Sequence, residues 1–221
     1  MPFVKLRCEE GEPPLEVELP DSVTMDEKQR KCFTLQNVYY ATYHDQASGR
    51  AVHAVLKLLD VDDYYDIKFV RKEISMALWG ASVGLGPVVF ATHEDFDRDR
   101  PFAYIVSERV IANDSAAWGG LVDEYVTDDE LTEDPDEDYN YVDYAAFYNK
   151  LRYYGLLYDN TRGNTGVRAD DPTRLLIIDW GGARFVDAEK ADEEYTETVE
   201  RLMERRARAD ANRRARFANR G

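Results

Sequence analysis

Two apolar runs in the second half of the chain each end in an acidic turn, and this pattern narrows the possible folds more than any other feature. Leu157-Tyr158 leads into Asp159-Asn160-Thr161-Arg162-Gly163-Asn164, and Leu175-Leu176-Ile177-Ile178 leads into Asp179-Trp180-Gly181. Short apolar runs bounded by Asp, Asn and Gly read as buried strands that stop at turns. They are far too short to cross a bilayer. Taken singly, Asp159-Asn160, Asn164 and Asp179-Trp180-Gly181-Gly182 are also ordinary turn chemistry, because Asp and Asn favour such conformations.

A chain of 221 residues, 44% of them hydrophobic, can build one large domain or two small lobes sharing a cleft. Its net charge of −16 is unevenly placed. Eleven acidic residues and no Lys or Arg lie between Asp123 and Asp143, whereas Arg201 to Gly221 holds eight arginines against Glu204 and Asp210. So acidic a body repels nucleic acid as a whole, which leaves the Arg-rich tail as the one segment suited to it. Cys8 and Cys32 are too few for a disulfide framework, and Met1-Pro2-Phe3-Val4-Lys5 has no basic-then-apolar signal pattern. The expectation is an intracellular, cytoplasmic setting without membrane insertion.

In chain order, Leu15-Glu16-Val17-Glu18-Leu19 alternates like an edge strand. Phe33 to Tyr43 and Ala51 to Leu59 read as strands joined by the turn His44–Gly49. A helix is expected from about Asp66 to Gly80, with Ile67, Val70, Ile74 and Leu78 at helical spacing. Gly84-Leu85-Gly86-Pro87 breaks the chain before paired strands at Val88–Thr92 and Ala103–Ser107. The second half reads as mostly helical. A short helix is expected over Ser115–Tyr125, then an acidic solvated loop through Tyr139 and a helix over Val142–Tyr154. Short strands flank the two Asp motifs, and a charged helix runs from about Ala188 with Tyr195, Val199, Leu202 and Met203 on one stripe.

Several separated positions, in order, resemble the protein kinase superfamily over roughly residues 31–186. Ala54-Val55-Leu56-Lys57 resembles the Val-Ala-Ile-Lys strand of that family, and Glu73 follows sixteen residues on in the expected helix. Tyr104 to Val110 resembles the hinge segment. The resemblance implies an α+β, bilobal protein kinase-like fold, with an antiparallel-sheet N-lobe (1–108) carrying one main helix and a reduced, mostly helical C-lobe (109–221). It implies ATP and Mg²⁺ as cofactors. Lys57 would hold the α- and β-phosphates, Glu73 would aim Lys57, and Asp159 would accept the proton of the substrate hydroxyl. Asn164 and Asp179 would be the magnesium ligands. Val38, the Glu108 carbonyl and the Val110 backbone would contact the nucleotide, with Ser107 as gatekeeper.

The chain departs from the family pattern in three places. Aligning Val38 with the valine after the glycine-rich loop puts Lys31, Phe33 and Gln36 where three glycines belong. Leu157 and Tyr158 replace the His-Arg before the Asp, which removes the usual pairing with a phosphorylated activation loop. Only 40 residues follow Gly181. This resembles the small atypical kinases: those of the tRNA threonylcarbamoyl-adenosine complex, bacterial effector kinases and short kinases of large DNA viruses. The expectation is therefore a minimal atypical serine/threonine protein kinase with a protein substrate and scope for an activating partner, in a host cytoplasm if it is viral or an effector. A pseudokinase that holds a partner, and a small-molecule kinase, are the alternatives. Outside this company of motifs, Lys57 and Glu73 would read as a surface ion pair worth little.

Overall fold

A computed structural model describes residues 3–6, 14–26, 37–61, 66–112, 144–158, 164–168 and 170–218. The fold is α+β, and by internal contacts it divides into two compact units, Met1–Val110 and Ile111–Gly221. The expected Ser115–Tyr125 helix, the acidic loop, Asp159, and Lys31, Phe33 and Gln36 lie outside the described residues.

The first unit opens with the hairpin β1 (Phe3–Leu6) and β2 (Leu15–Glu18), paired Leu6 to Leu15 and Phe3 to Glu18. Next come β3 (Val23–Met25), β4 (Val38–His44), β5 (Ala51–Asp60), helix α1 (Ile67–Val83), β6 (Val89–Asp95) and β7 (Phe102–Glu108). The last five strands form one antiparallel sheet in the order β3-β4-β5-β7-β6. Side chains alternate across a strand, so Ala54, Leu56 and Leu58 of β5 join Leu6, Leu15 and Val17 of the hairpin in one buried cluster. Val55, Lys57 and Leu59 face the other way. Strands β4 and β6 have two others between them, about 14 Å in a flat sheet, yet Tyr43 and Phe90 stack at 4.2 Å. Sheet coiling, with a bulge between Val89 and Ala91, brings them together.

Tyr104 locks the hairpin to the sheet, its hydroxyl donating to the Glu18 carbonyl at 2.9 Å. Burial, aided by the Glu18 charge, pushes its pKa up to about 12. The turn after β4 is closed by Asp45, whose carboxylate accepts from Ser48 and the Ala47 N–H, and by Gly49 at φ +69°. Those hydrogen bonds hold the Asp45 pKa below its ordinary value.

Helix α1 starts where Asp66 accepts the Phe69 N–H at 2.8 Å. It stops at Gly84, which adopts the left-handed conformation at φ +68° while Leu85 and Gly86 donate to the Gly80 carbonyl. The helix thus runs nearly a turn past the expected end at Gly80. Its buried face is Val70, Glu73, Ile74, Met76, Ala77 and Gly80. Leu78, expected on that face, is 46% exposed. At 100° per residue it falls more than 100° from the middle of the stripe, where Glu73 sits.

The second unit contains β8 (Ile111–Ala112), α2 (Tyr144–Tyr154), β9 (Leu156–Leu157), β10 (Thr165–Val167), β11 (Leu175–Ile177), β12 (Arg184–Phe185) and α3 (Ala188–Ala218). The strands form two small antiparallel sheets, β11-β10-β8 and β12-β9. Phe147 and Leu151 of α2 and Ala191, Tyr195 and Val199 of α3 are buried where the two helices pack. The Arg152 guanidinium donates to Asp192 at 2.6 Å and 3.0 Å across them. Met203, expected on the same stripe, is 57% exposed, and every described side chain after Leu202 is exposed. The stripe ends there because α2 offers nothing further to pack against among the described residues. None of the described helices is long and apolar enough to cross a membrane.

Two consequences can be measured. Because folding raises the Tyr104 pKa, its stabilisation is present below about pH 10, the unfolded value, and is lost as pH rises through about 12. Alkaline unfolding of Tyr104→Phe should therefore show a shallower loss of stability over that window than the native chain. Deleting the chain from Arg205 should lower Tm by no more than about 2–4 °C, the equivalent of roughly 1 kcal/mol; a larger drop in calorimetry would mean that the distal helix packs.

Candidate functional site

Lys57 lies at the middle of β5, opposite Val38 of β4 and Ile105 of β7. Directly opposed residues share a face in an antiparallel sheet, so Val38 and Lys57 stand side by side. A central strand, hydrogen-bonded on both sides, gives the lysine a rigid base. Glu73 comes down onto the same face because it sits in the buried stripe of α1. Lys57 Nζ and Glu73 Oε1 are 2.5 Å apart, with the side chains 15% and 6% exposed. This is no surface pair. An ion pair so removed from water is held in a single geometry, and taking away either partner strands the other charge.

The remaining first-unit candidates line the end of β7. Ser107 pairs with Val55 and Val89, and Glu108 lies opposite Ala54. The Glu108 N–H donates to the Val88 carbonyl, and its carboxylate accepts the Val88 N–H at 3.3 Å. Arg109 donates its N–H to His53 and lays its guanidinium 4.5 Å from the centre of the Tyr40 ring. Val110 is the last residue of the unit and half-buried.

In the second unit the two motif residues Asn164 and Asp179 are brought together by the β10–β11 hairpin. Thr165 pairs with Ile177, and just beyond that pair the Asn164 carbonyl accepts the N–H of both Ile178 (2.9 Å) and Asp179 (3.2 Å). The Asp179 carboxylate Oδ1 accepts the Gly181 N–H at 3.0 Å, an Asx turn that orients the group. Trp180, between them, is 2% exposed and anchors the turn. A carboxylate and a carboxamide are hard oxygen donors, the type Mg²⁺ takes in small number beside phosphate oxygens and water. The residues present fit such an ion. Among the described residues no group of three or more His, Cys, Asp and Glu forms a metal cluster.

Two positioning features were not singled out from sequence. Gly155 ends α2 at φ +60°, and a Cβ there would lie 2.6 Å from the Val186 carbonyl oxygen, which only glycine avoids. A glycine directly after an amphipathic helix was the available signal. The other is Tyr195, seen in the sequence as a core residue, whose hydroxyl reaches the backbone of Tyr158. An open concavity of about 500 Å³ lined by Asn149, Arg152, Tyr153, Ala188, Glu189 and Asp192 contains none of the motif residues. Also on α2, the Lys150 pKa is lowered, by burial first and then by the charge of Arg174.

Thermal or denaturant unfolding of a double-mutant cycle checks the buried pair. Lys57→Met and Glu73→Leu should each cost roughly 3 kcal/mol, while the double variant should recover most of that loss. Additive losses would show that the two side chains act independently.

No protein-family model matches the sequence, and comparison with curated proteins finds no match.

Proposed function

We propose that the chain is a minimal protein kinase-like phosphotransferase that uses ATP and Mg²⁺ to phosphorylate serine or threonine hydroxyls of a protein. The observation that carries this reading is the buried Lys57–Glu73 pair. A lysine in mid-strand, aimed by a helix carboxylate sixteen residues on, suits a cation that must fix phosphates rather than merely attract them. The neighbouring Val38 supports it, offering an apolar surface beside Lys57 for the nucleotide. Further support comes from the pairing of Asn164 with Asp179, two oxygen ligands joined at one hairpin end.

On this reading Lys57 binds the α- and β-phosphates, and the Glu108 and Val110 backbones bind adenine. Asp159 accepts the proton from the attacking hydroxyl as its oxygen bonds to the γ-phosphorus and ADP leaves. Asn164 and Asp179 hold Mg²⁺, which when bound neutralises phosphate charge. Lys31, Phe33 and Gln36, in place of phosphate-cradling glycines, favour a second reading, a pseudokinase that binds a nucleotide or partner without transfer.

Transfer of labelled γ-phosphate from Mg²⁺-ATP to the chain itself and to generic substrates decides between them. Asp159→Asn should abolish transfer with nucleotide binding retained, and Lys57→Ala should lower kcat/KM by about 10²-fold or more. Equal transfer by the Asp159→Asn variant would remove that residue from the mechanism. Binding of Mg²⁺-ATP with no transfer by the native chain on any substrate would favour the pseudokinase.

A further inference from the structure

The carbonyl that joins the two proposed metal ligands is gripped from a third side. Besides the N–H groups of Ile178 and Asp179, the Asn164 oxygen accepts the Tyr158 hydroxyl at 2.8 Å. Tyr158 is itself held by a second tyrosine. The Tyr195 hydroxyl accepts the Tyr158 N–H at 2.8 Å and donates to the Tyr158 carbonyl at 3.3 Å. Both tyrosines are 5% exposed. The Tyr158 ring also meets Phe147 edge-on, and the Tyr195 ring tilts against Tyr148. Phenylalanine would fill either space equally well, so packing alone does not call for the hydroxyls. What the hydroxyls add is direction. They run a chain of hydrogen bonds from the second turn of α3, through the Tyr158 backbone, to the carbonyl on which Asn164 and Asp179 meet.

We propose that Tyr158 and Tyr195 are positioning residues that set the relative placement of Asn164 and Asp179 for a divalent cation. The inference rests on the phosphotransferase reading and deepens it. Holding the Asn164 carbonyl fixes ψ at that residue, and so the direction in which its peptide and the Asp179 N–H meet. Mg²⁺ tolerates little error in ligand placement, with oxygen distances of about 2.0–2.1 Å in near-octahedral geometry. Outer hydrogen bonds that orient ligands are worth roughly 10- to 100-fold in metal affinity. On this account the proximal part of α3 is a working part of the metal site, whereas the distal arginine-bearing part is not.

The test titrates Mn²⁺ into the full chain with a non-hydrolysable ATP analogue, read by water proton relaxation, for the native chain and for Asp179→Ala, Tyr158→Phe and Tyr195→Phe. The native chain should bind Mn²⁺ in a manner lost in Asp179→Ala. Tyr158→Phe should weaken binding by about 10-fold, with metal-free nucleotide affinity unchanged, and Tyr195→Phe should act in the same direction. Amide hydrogen exchange gives the second readout. In Tyr158→Phe, exchange should accelerate at Ile178 and Asp179 while the α2 and α3 amides keep their native rates. Native Mn²⁺ affinity in both phenylalanine variants overturns the inference and leaves the phosphotransferase reading standing. Acceleration throughout the unit overturns it in favour of a purely structural role. Absence of Asp179-dependent Mn²⁺ binding in the native chain overturns the inference and the metal assignment together.

Discussion

A buried charge pair governs the first unit. Removing a lysine and a glutamate from water is costly, and the cost is met only if they meet in good geometry. That demand ties three choices together: the register of β5 between β4 and β7, the rotation of α1, and the length of its N-terminal connection. A slip of one residue in β5 would turn Lys57 into the apolar cluster formed with the hairpin and bring Leu56 to the helix. A rotation of α1 that buried Leu78 would carry Glu73 out of reach. The Asp66 and Gly84 caps define both ends of the helix and so help to keep that rotation.

The second unit is organised around a neutral group. The Asn164 carbonyl gathers donors from the chain before it, Tyr158, and from the chain after it, Ile178 and Asp179. Short strands of two or three residues have little stability of their own. Here they are stapled by this oxygen, by the Gly155 turn with its Val186 N–H bond, and by the buried Trp180. Among the described residues of this unit, bonds between turns tie the strands together more than the extent of its sheets does.

On the proposed phosphotransferase reading, the two arrangements would serve one chemistry. A cation fixed by a buried carboxylate and a pair of hard oxygen ligands are what phosphate chemistry asks of a protein, since catalysis there is largely positioning and charge neutralisation. The proposal rests on these residues and on their resemblance in order and spacing to kinase motifs. Lys31, Phe33 and Gln36, where the ordinary pattern has glycines, set the chain apart, as does the replacement of His-Arg by Leu157-Tyr158.

Much of the local structure was legible in the amino-acid order. Period-two alternation marked β2, helical spacing marked α1, α2 and α3, and Gly84-Leu85-Gly86-Pro87 marked a stop, because these follow from backbone geometry and near-neighbour chemistry. The resemblance to kinase motifs singled out Lys57, Glu73, Asn164 and Asp179, although it could not say that Glu73 would be buried with its lysine. Which helix face is covered was misread at Leu78 and Met203, since hydrophobicity states a preference and only the packed partner satisfies it. The role of Tyr195 was beyond any local pattern. Its hydroxyl bonds a backbone 37 positions away, and a contact of that range exists only once α2, β9 and α3 have packed. The sequence by itself determined the elements and nominated the chemistry; the tertiary structure decided which polar groups lost their water and therefore had to find one another.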